Sequence, residues 1–216
     1  MREIAIRRGC LWGLLVAAVT SSVGAAEPRQ PSKAQPIPSA VRTAMLRAYE
    51  ANKPLLIDVG AAWCGWCKRF ADDVRNDAGM KRLVGQFVHV YIDAEKDSQS
   101  ARYLRTLGLP TFVMFAPNGE RLGGWTGYYP TPGQARTEFV QAYAAGIAPM
   151  TRAGRSQEAW WLLTRGVAMD PGGPHAERLG AQAAALVKAG KAKPDPKVKW
   201  TLIPELAKGY KPSAKR

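Results

Sequence analysis

Two hydrophobic periods alternate along the middle of this chain. Val41, Ala44, Met45, Ala48 and Tyr49 recur at three- and four-residue steps, the signature of a helix with one buried face. Ser39 is placed to cap that helix and Asn52-Lys53-Pro54 to stop it. Leu55-Leu56-Ile57-Asp58-Val59 is then almost continuously apolar, as expected of a strand covered on both faces. A helix follows over 68–74 and a short one over 80–86, and residues 87–92 form a second strand. Ala101 and Leu104 suit the inner face of a helix over 98–106 that Gly108 ends. Residues 111–115 are a third strand, and the Asn118-Gly119 turn leads into an antiparallel fourth strand over 120–127. Thr131 and Pro132 open a further helix, with Ala135, Phe139, Ala142 and Tyr143 inward. This order predicts an α/β fold with a mixed central sheet flanked by helices.

The helical period returns further on. Ala159, Leu162, Leu163, Gly166 and Val167 form one stripe, and Leu179, Ala183, Leu186 and Val187 form another, with Asp170-Pro171-Gly172-Gly173-Pro174 between them. The reading is a helical hairpin extension over 147–190, similar in outline to one tetratricopeptide unit. A single hairpin cannot bury both its faces, so it must dock, with Trp160 and Trp161 as candidate anchors.

The ends read differently. Residues 1–26 combine a basic start at Arg2, Arg7 and Arg8, an apolar run from Cys10 to Val19, and small residues at Val23-Gly24-Ala25-Ala26. That is the layout of a cleaved signal peptide. An uncleaved anchor is the alternative, although the run is shorter than the roughly 20 residues that span a bilayer. Residues 27–38 hold four prolines among polar residues and read as a linker to a folded domain over 39–146. Residues 191–216 form a basic C-terminal tail.

The formal charge is +14, and much of it is local: from Lys188 onward nine basic residues face only Asp195 and Glu205. Such a tail suits either a solvated end or contact with an anionic membrane surface or an acidic partner. Nucleic acid is excluded as a partner for an exported, periplasmic chain. Of three cysteines, Cys10 would leave with the signal. In an oxidising compartment a lone Cys64/Cys67 pair favours a working redox couple over a structural staple.

The chemistry of that pair follows from its position. It lies at a strand-to-helix junction, Asp58-Val59-Gly60-Ala61-Ala62-Trp63-Cys64-Gly65-Trp66-Cys67-Lys68. With Cys64 at the helix N-terminus, unpaired N–H groups and the helix dipole stabilise a thiolate there, and Cys67, one turn in, would be the buried resolving thiol. Asp58 interrupts a buried strand, where an unpaired carboxylate costs several kcal/mol. It either takes a proton from Cys67 or accepts from nearby backbone N–H groups. Haem attachment would want a histidine where Lys68 stands, and zinc needs more ligands than the two cysteines with His89 and His175 supply. Cu(I) capture by the thiol pair remains a rival, as a binding-module function.

Trp63-Cys64-Gly65-Trp66-Cys67-Lys68, Asp58 ahead of it, Gly108-Leu109-Pro110-Thr111 and Gly127, in this order, resemble the thioredoxin family. The resemblance implies a thioredoxin-like fold, a cis bond before Pro110 packed against the disulfide, and a Leu109 backbone that pairs with a substrate strand. It also implies a groove lined by Trp63, Trp66 and Gly127. Trp66 stands where many members have proline, Gly60 where many have a further tryptophan, and His89 where some have lysine. His89 is thus either a core histidine or part of a proton path. The implied activity is that of an exported thiol:disulfide oxidoreductase. It would reduce disulfides of exported proteins with electrons from a membrane donor, with no cofactor besides the Cys64–Cys67 couple; an oxidase or isomerase would use the same residues.

Overall fold

The computed structural model describes residues 36–212. The expected signal segment 1–26, most of the expected linker and residues 213–216 lie outside them. The elements run α1 (Ser39–Glu50), β1 (Leu55–Gly60), α2 (Gly65–Asn76), α3 (Ala78–Gly85), β2 (Val88–Asp93), α4 (Ser98–Tyr103), β3 (Thr111–Phe115), β4 (Arg121–Thr126) and α5 (Pro132–Ala145). They continue with α6 (Ala148–Arg152), α7 (Ser156–Met169), α8 (Ala176–Lys188) and α9 (Pro204–Ala207).

The four strands form one mixed sheet in the order β2-β1-β3-β4. β1 and β2 are parallel because α2 and α3 carry the chain back between them, whereas β1/β3 and β3/β4 are antiparallel. β1 is central and buried along its whole length, as its sequence, apolar but for Asp58, leads one to expect. β2 is an edge strand and is exposed at alternate positions. The period of two splits the core into two layers. Leu55, Ile57 and Val59 face Val41 and Met45 of α1, and Leu56 faces Phe70, Phe112, Phe139 and the helices of the other side.

Three local expectations need correction. Ser39 is the first helical residue and Pro38 holds the cap position without a side-chain bond, because the fixed φ of proline already sets the chain entry. α4 ends at Tyr103, and the reversal is made by Arg105 at φ 61° rather than by Gly108. On α5 it is Val140 that is buried beside Ala135, Phe139 and Tyr143, while Ala142 is half-buried.

α7 and α8 form the hairpin, which packs against α3 and α5 of the same body. Trp161, Leu162 and Leu163 are buried there, whereas Trp160 is half-buried, so Trp161 is the anchor. Its indole Nε1 donates to the Pro196 carbonyl at 3.1 Å. Arg136 of α5 fastens the junction, with Asp77 Oδ1 at 2.8 Å and Asp170 Oδ1 at 3.4 Å.

The basic tail is not a solvated end over the described residues. Residues 191–212 form a strap that closes back on α1 and the β3–β4 turn. Trp200 and Leu206 are buried, Trp200 Nε1 donates to Asn52 Oδ1 at 3.0 Å, and the Ile203 N–H donates to the Asn118 carbonyl at 3.1 Å. Arg42 donates to the carbonyls of Glu205, Leu206 and Lys208 at 2.8, 2.9 and 2.6 Å. A few apolar side chains decide this: burying one leucine or tryptophan contributes roughly 1.5–3 kcal/mol, more than charge repulsion among exposed lysines removes.

Candidate redox site

Strand register gathers the expected residues at one end of the sheet. Val59 pairs with Ile92 on one side and Thr111 on the other, and Thr111 pairs with Thr126. The segments leaving this line are 61–64 after β1, 94–97 after β2, 108–110 before β3 and 127–130 after β4.

Cys64 is the N-cap of α2 and has extended backbone angles, and its Sγ accepts from the Cys67 N–H at 3.1 Å. Cys64 and Cys67 are joined in a disulfide, with Cα atoms 5.3 Å apart. Helical spacing alone brings the sulfurs together, since Cys67 stands one turn beyond the cap. The order of exposure reverses the expectation: Cys64 is 4% exposed, whereas Cys67 is only half-buried. Cys67 lies toward the edge strand, where Gly60 leaves room. A Cβ on Gly60 would stand 2.9 Å from the Tyr91 ring and 3.0 Å from Cys67 Sγ.

Asp58 is 8% exposed and shares its sheet face with His89 and Tyr91, its neighbours on β2. His89 Nε2 stands 3.2 Å from Asp58 Oδ1, within ion-pair range but outside hydrogen-bond geometry, so that oxygen has no hydrogen bond among the described residues. His89 is not a core histidine. Its side chain is 30% exposed and its ring meets Phe70 edge-on at 5.8 Å. The Tyr91 hydroxyl is pushed above its ordinary pKa by desolvation and by the charges of Asp93, Asp58 and Glu95, so this end of the sheet has an acidic rim.

The Leu109–Pro110 peptide bond is cis. Pro110 is buried, its carbonyl accepts from the Gly127 N–H at 2.7 Å, and Thr111 Oγ1 bridges the Gly108 carbonyl at 2.7 Å and Thr126 Oγ1 at 3.0 Å. Gly127 has φ +100°, which a side chain would resist. Trp63, Trp66, Tyr91 and Leu107 are the large apolar side chains that stand exposed among the described residues, and the first two flank Cys64 in the chain. Trp63 Nε1 donates to Glu95 Oε1 at 2.9 Å, which fixes an indole that is otherwise 68% exposed.

A sequence profile of the family described as Thioredoxin-like matches residues 37–117. These residues form a thioredoxin-like domain. β4 and α5 complete the sheet and core beyond the matched stretch. Among relatives, the chain is 32% identical over 65 residues to the bifunctional thioredoxin reductase/thioredoxin of Mycobacterium leprae, a match covering 30% of this chain and 14% of that protein. It is 30% identical over 77 residues to the thiol:disulfide interchange protein DsbD of Salmonella typhi, covering 34% of this chain and 14% of that one. The chain therefore spans about one seventh of the length of each relative. A disulphide isomerase from Xylella fastidiosa Temecula1 is a structural neighbour at 22% identity and TM-score 0.36, over 39% of this chain and 70% of that one.

Within the thioredoxin-like domain, Asp58, Cys64, Cys67, Leu109 and Pro110 are brought to one end of the sheet, and Gly127 joins them from the segment that follows β4. The sequence reading missed Glu95 and Tyr91. Both sit on or just after the edge strand, and their part in the site depends on parallel pairing between β1 and β2. It also missed Asp73, a buried carboxylate on α2 that takes the Tyr128 hydroxyl at 2.9 Å and Arg69 Nε at 3.1 Å. Burial and this hydrogen bond push the Tyr128 hydroxyl well above its usual pKa, so it stays a donor and holds the segment after Gly127 against α2.

Proposed function

We propose that this chain is an exported thiol:disulfide oxidoreductase that reduces disulfides in other exported proteins, supplied with electrons by a membrane donor. The observation that carries the reading is a disulfide at a helix N-terminus, with exposed Trp63 and Trp66 beside its cysteines in the chain and the Leu109–Pro110 turn at the same end of the sheet. In the reduced protein, the α2 N-terminus favours the Cys64 thiolate. Cys64 Sγ attacks one sulfur of a client disulfide, and the other client sulfur leaves as a thiolate and takes a proton. Cys67 Sγ, deprotonated with help from Asp58, then attacks Cys64 Sγ. The client leaves as a dithiol, two electrons richer; the Cys64–Cys67 disulfide stays on this chain, two electrons poorer, and the donor must return those two electrons. Trp63, Trp66 and Leu109 would hold the client, with the Leu109 backbone open to an extended segment.

Trapping tests the reading. Cys67→Ala should retain clients on Cys64 as mixed disulfides that dithiothreitol releases. Because Cys67 is the more exposed residue in the disulfide form, Cys64→Ala is the necessary partner experiment. Clients captured only by Cys64→Ala would reverse the order of attack, and capture by neither variant would end the proposal. A reduction potential near that of strong oxidants, about −120 mV, would assign the opposite direction of electron flow.

A further inference from the structure

A groove of about 600 Å³ lies between the C-terminal half of α5, α6 and α8, with Leu163 of α7 at its base. Its floor is apolar, from Ile147, Leu163 and Leu186, with small alanines between them. Its polar lining is Thr151 and Arg152 from α6, His175 and Arg178 at the start of α8, and Gln141 and Gln182. No aspartate or glutamate lines it. Among the described residues neither Arg152 nor Arg178 has a carboxylate within ion-pair distance, and Arg178 meets only His175 Nδ1, at 3.3 Å. His175 Nε2 is shielded from solvent and has no hydrogen-bond partner there. Nearby, Arg136 is matched to Asp77 and Asp170 and Arg155 to Glu120 and Glu158, while Arg165 of α7 stacks over the Trp161 ring at 4.7 Å.

We propose that this groove binds a small amphipathic anion, a carboxylate with a single apolar chain. The head would lie on the unmatched guanidinium groups of Arg152 and Arg178, which suit bidentate carboxylate recognition, and the chain would lie on the Ile147, Leu163 and Leu186 floor. The volume falls within the range of small-molecule sites, and an apolar floor with a few convergent polar groups is their usual composition. Charge complementarity selects the occupant: a cationic or neutral amphiphile would leave both arginines unpaired. This site is separate from the redox end and does not depend on the activity proposed above.

Dodecanoate, titrated calorimetrically into the full chain below its micelle concentration, should bind saturably at one site. Arg152→Ala and Arg178→Ala should each weaken it by about tenfold or more, with circular dichroism unchanged. The double change Lys191→Ala/Lys193→Ala, on the exposed strap, should leave it unaltered. Three results would each overturn the proposal: no saturable binding, equally tight binding of dodecanol, or an equal loss in the lysine control, which would indicate surface charge alone. A concentration-dependent dimer that Leu186→Glu dissolves would assign the groove to a second copy instead.

Discussion

His89 Nε2 and Asp58 Oδ1 stand 3.2 Å apart across the β1–β2 pair, one group half-open to solvent and the other buried. In the proposed reaction, a proton passed from Cys67 to Asp58 would have this imidazole next to it, itself partly open to solvent. Asp58→Asn should therefore slow the thiol–disulfide resolution step by about a hundredfold at neutral pH, the low end of general acid–base contributions. His89→Gln should slow it less, by several-fold. Stopped-flow tryptophan fluorescence during turnover reads both, and an Asp58→Asn rate equal to wild type would remove the carboxylate from the mechanism.

Glu95 holds Trp63 by one hydrogen bond at an exposed position. Glu95→Ala should leave the unfolding midpoint nearly unchanged, since surface changes stay within about 0.5 kcal/mol. It should raise KM for a disulfide client about threefold with kcat preserved, because only the positioning of the indole is lost. Steady-state insulin reduction separates the two constants.

The strap is fastened at the pole of the sheet opposite the disulfide, through Asn52, Asn118 and Arg42. Trp200→Ala should cost about 3 kcal/mol in urea denaturation, as for a buried aromatic truncated to alanine. The reduction potential should not move. A shift in potential would mean that the strap reaches the redox end.

Tyr143 is fully buried, its hydroxyl has no hydrogen-bond partner among the described residues, and burial drives its pKa far upward. The phenol is thus neutral in the fold and ionises only on unfolding. Its share of stability is complete below the ordinary tyrosine pKa of 10.0 and is lost as pH rises beyond it. Tyr143→Phe should be neutral to stabilising by about 1 kcal/mol at pH 7, since an unsatisfied polar atom is removed. It should also flatten the alkaline fall of the melting temperature above that pH.

At the acid end, Asp97 is held below its usual pKa by the Ser100 hydroxyl and N–H that it accepts at the start of α4. Its contribution is present above the unfolded aspartate pKa of 3.8 and disappears as pH falls through the lower folded value. Asp97→Asn should lower the melting temperature at pH 7 and narrow the difference from wild type as the pH approaches 3.

Much of the fold was legible because hydrophobic period is a local property. The strand cores of β1 and β3, the inner faces of α1 and α5 and both stripes of the hairpin can be read from spacing alone. The cysteine pair was equally legible, since one helical turn sets the separation of positions 64 and 67. The strap was not. Trp200 and Leu206 stand with Val198, Leu202 and Ile203 in a lysine-rich stretch without helical or strand period, and nothing local indicates that they reach the Asn118-Gly119 turn and α1.

The sequence by itself determined which residues can carry redox chemistry, which segments form the sheet, and where the apolar faces lie, because composition and period act within a few residues along the chain. Only the tertiary structure decided that Cys67 is more open than Cys64, that Trp63 is tied to Glu95, and that His89 faces Asp58. Each of these depends on which strands pair and which loops meet beyond their ends. Such contacts join residues distant in sequence, and no local pattern encodes them.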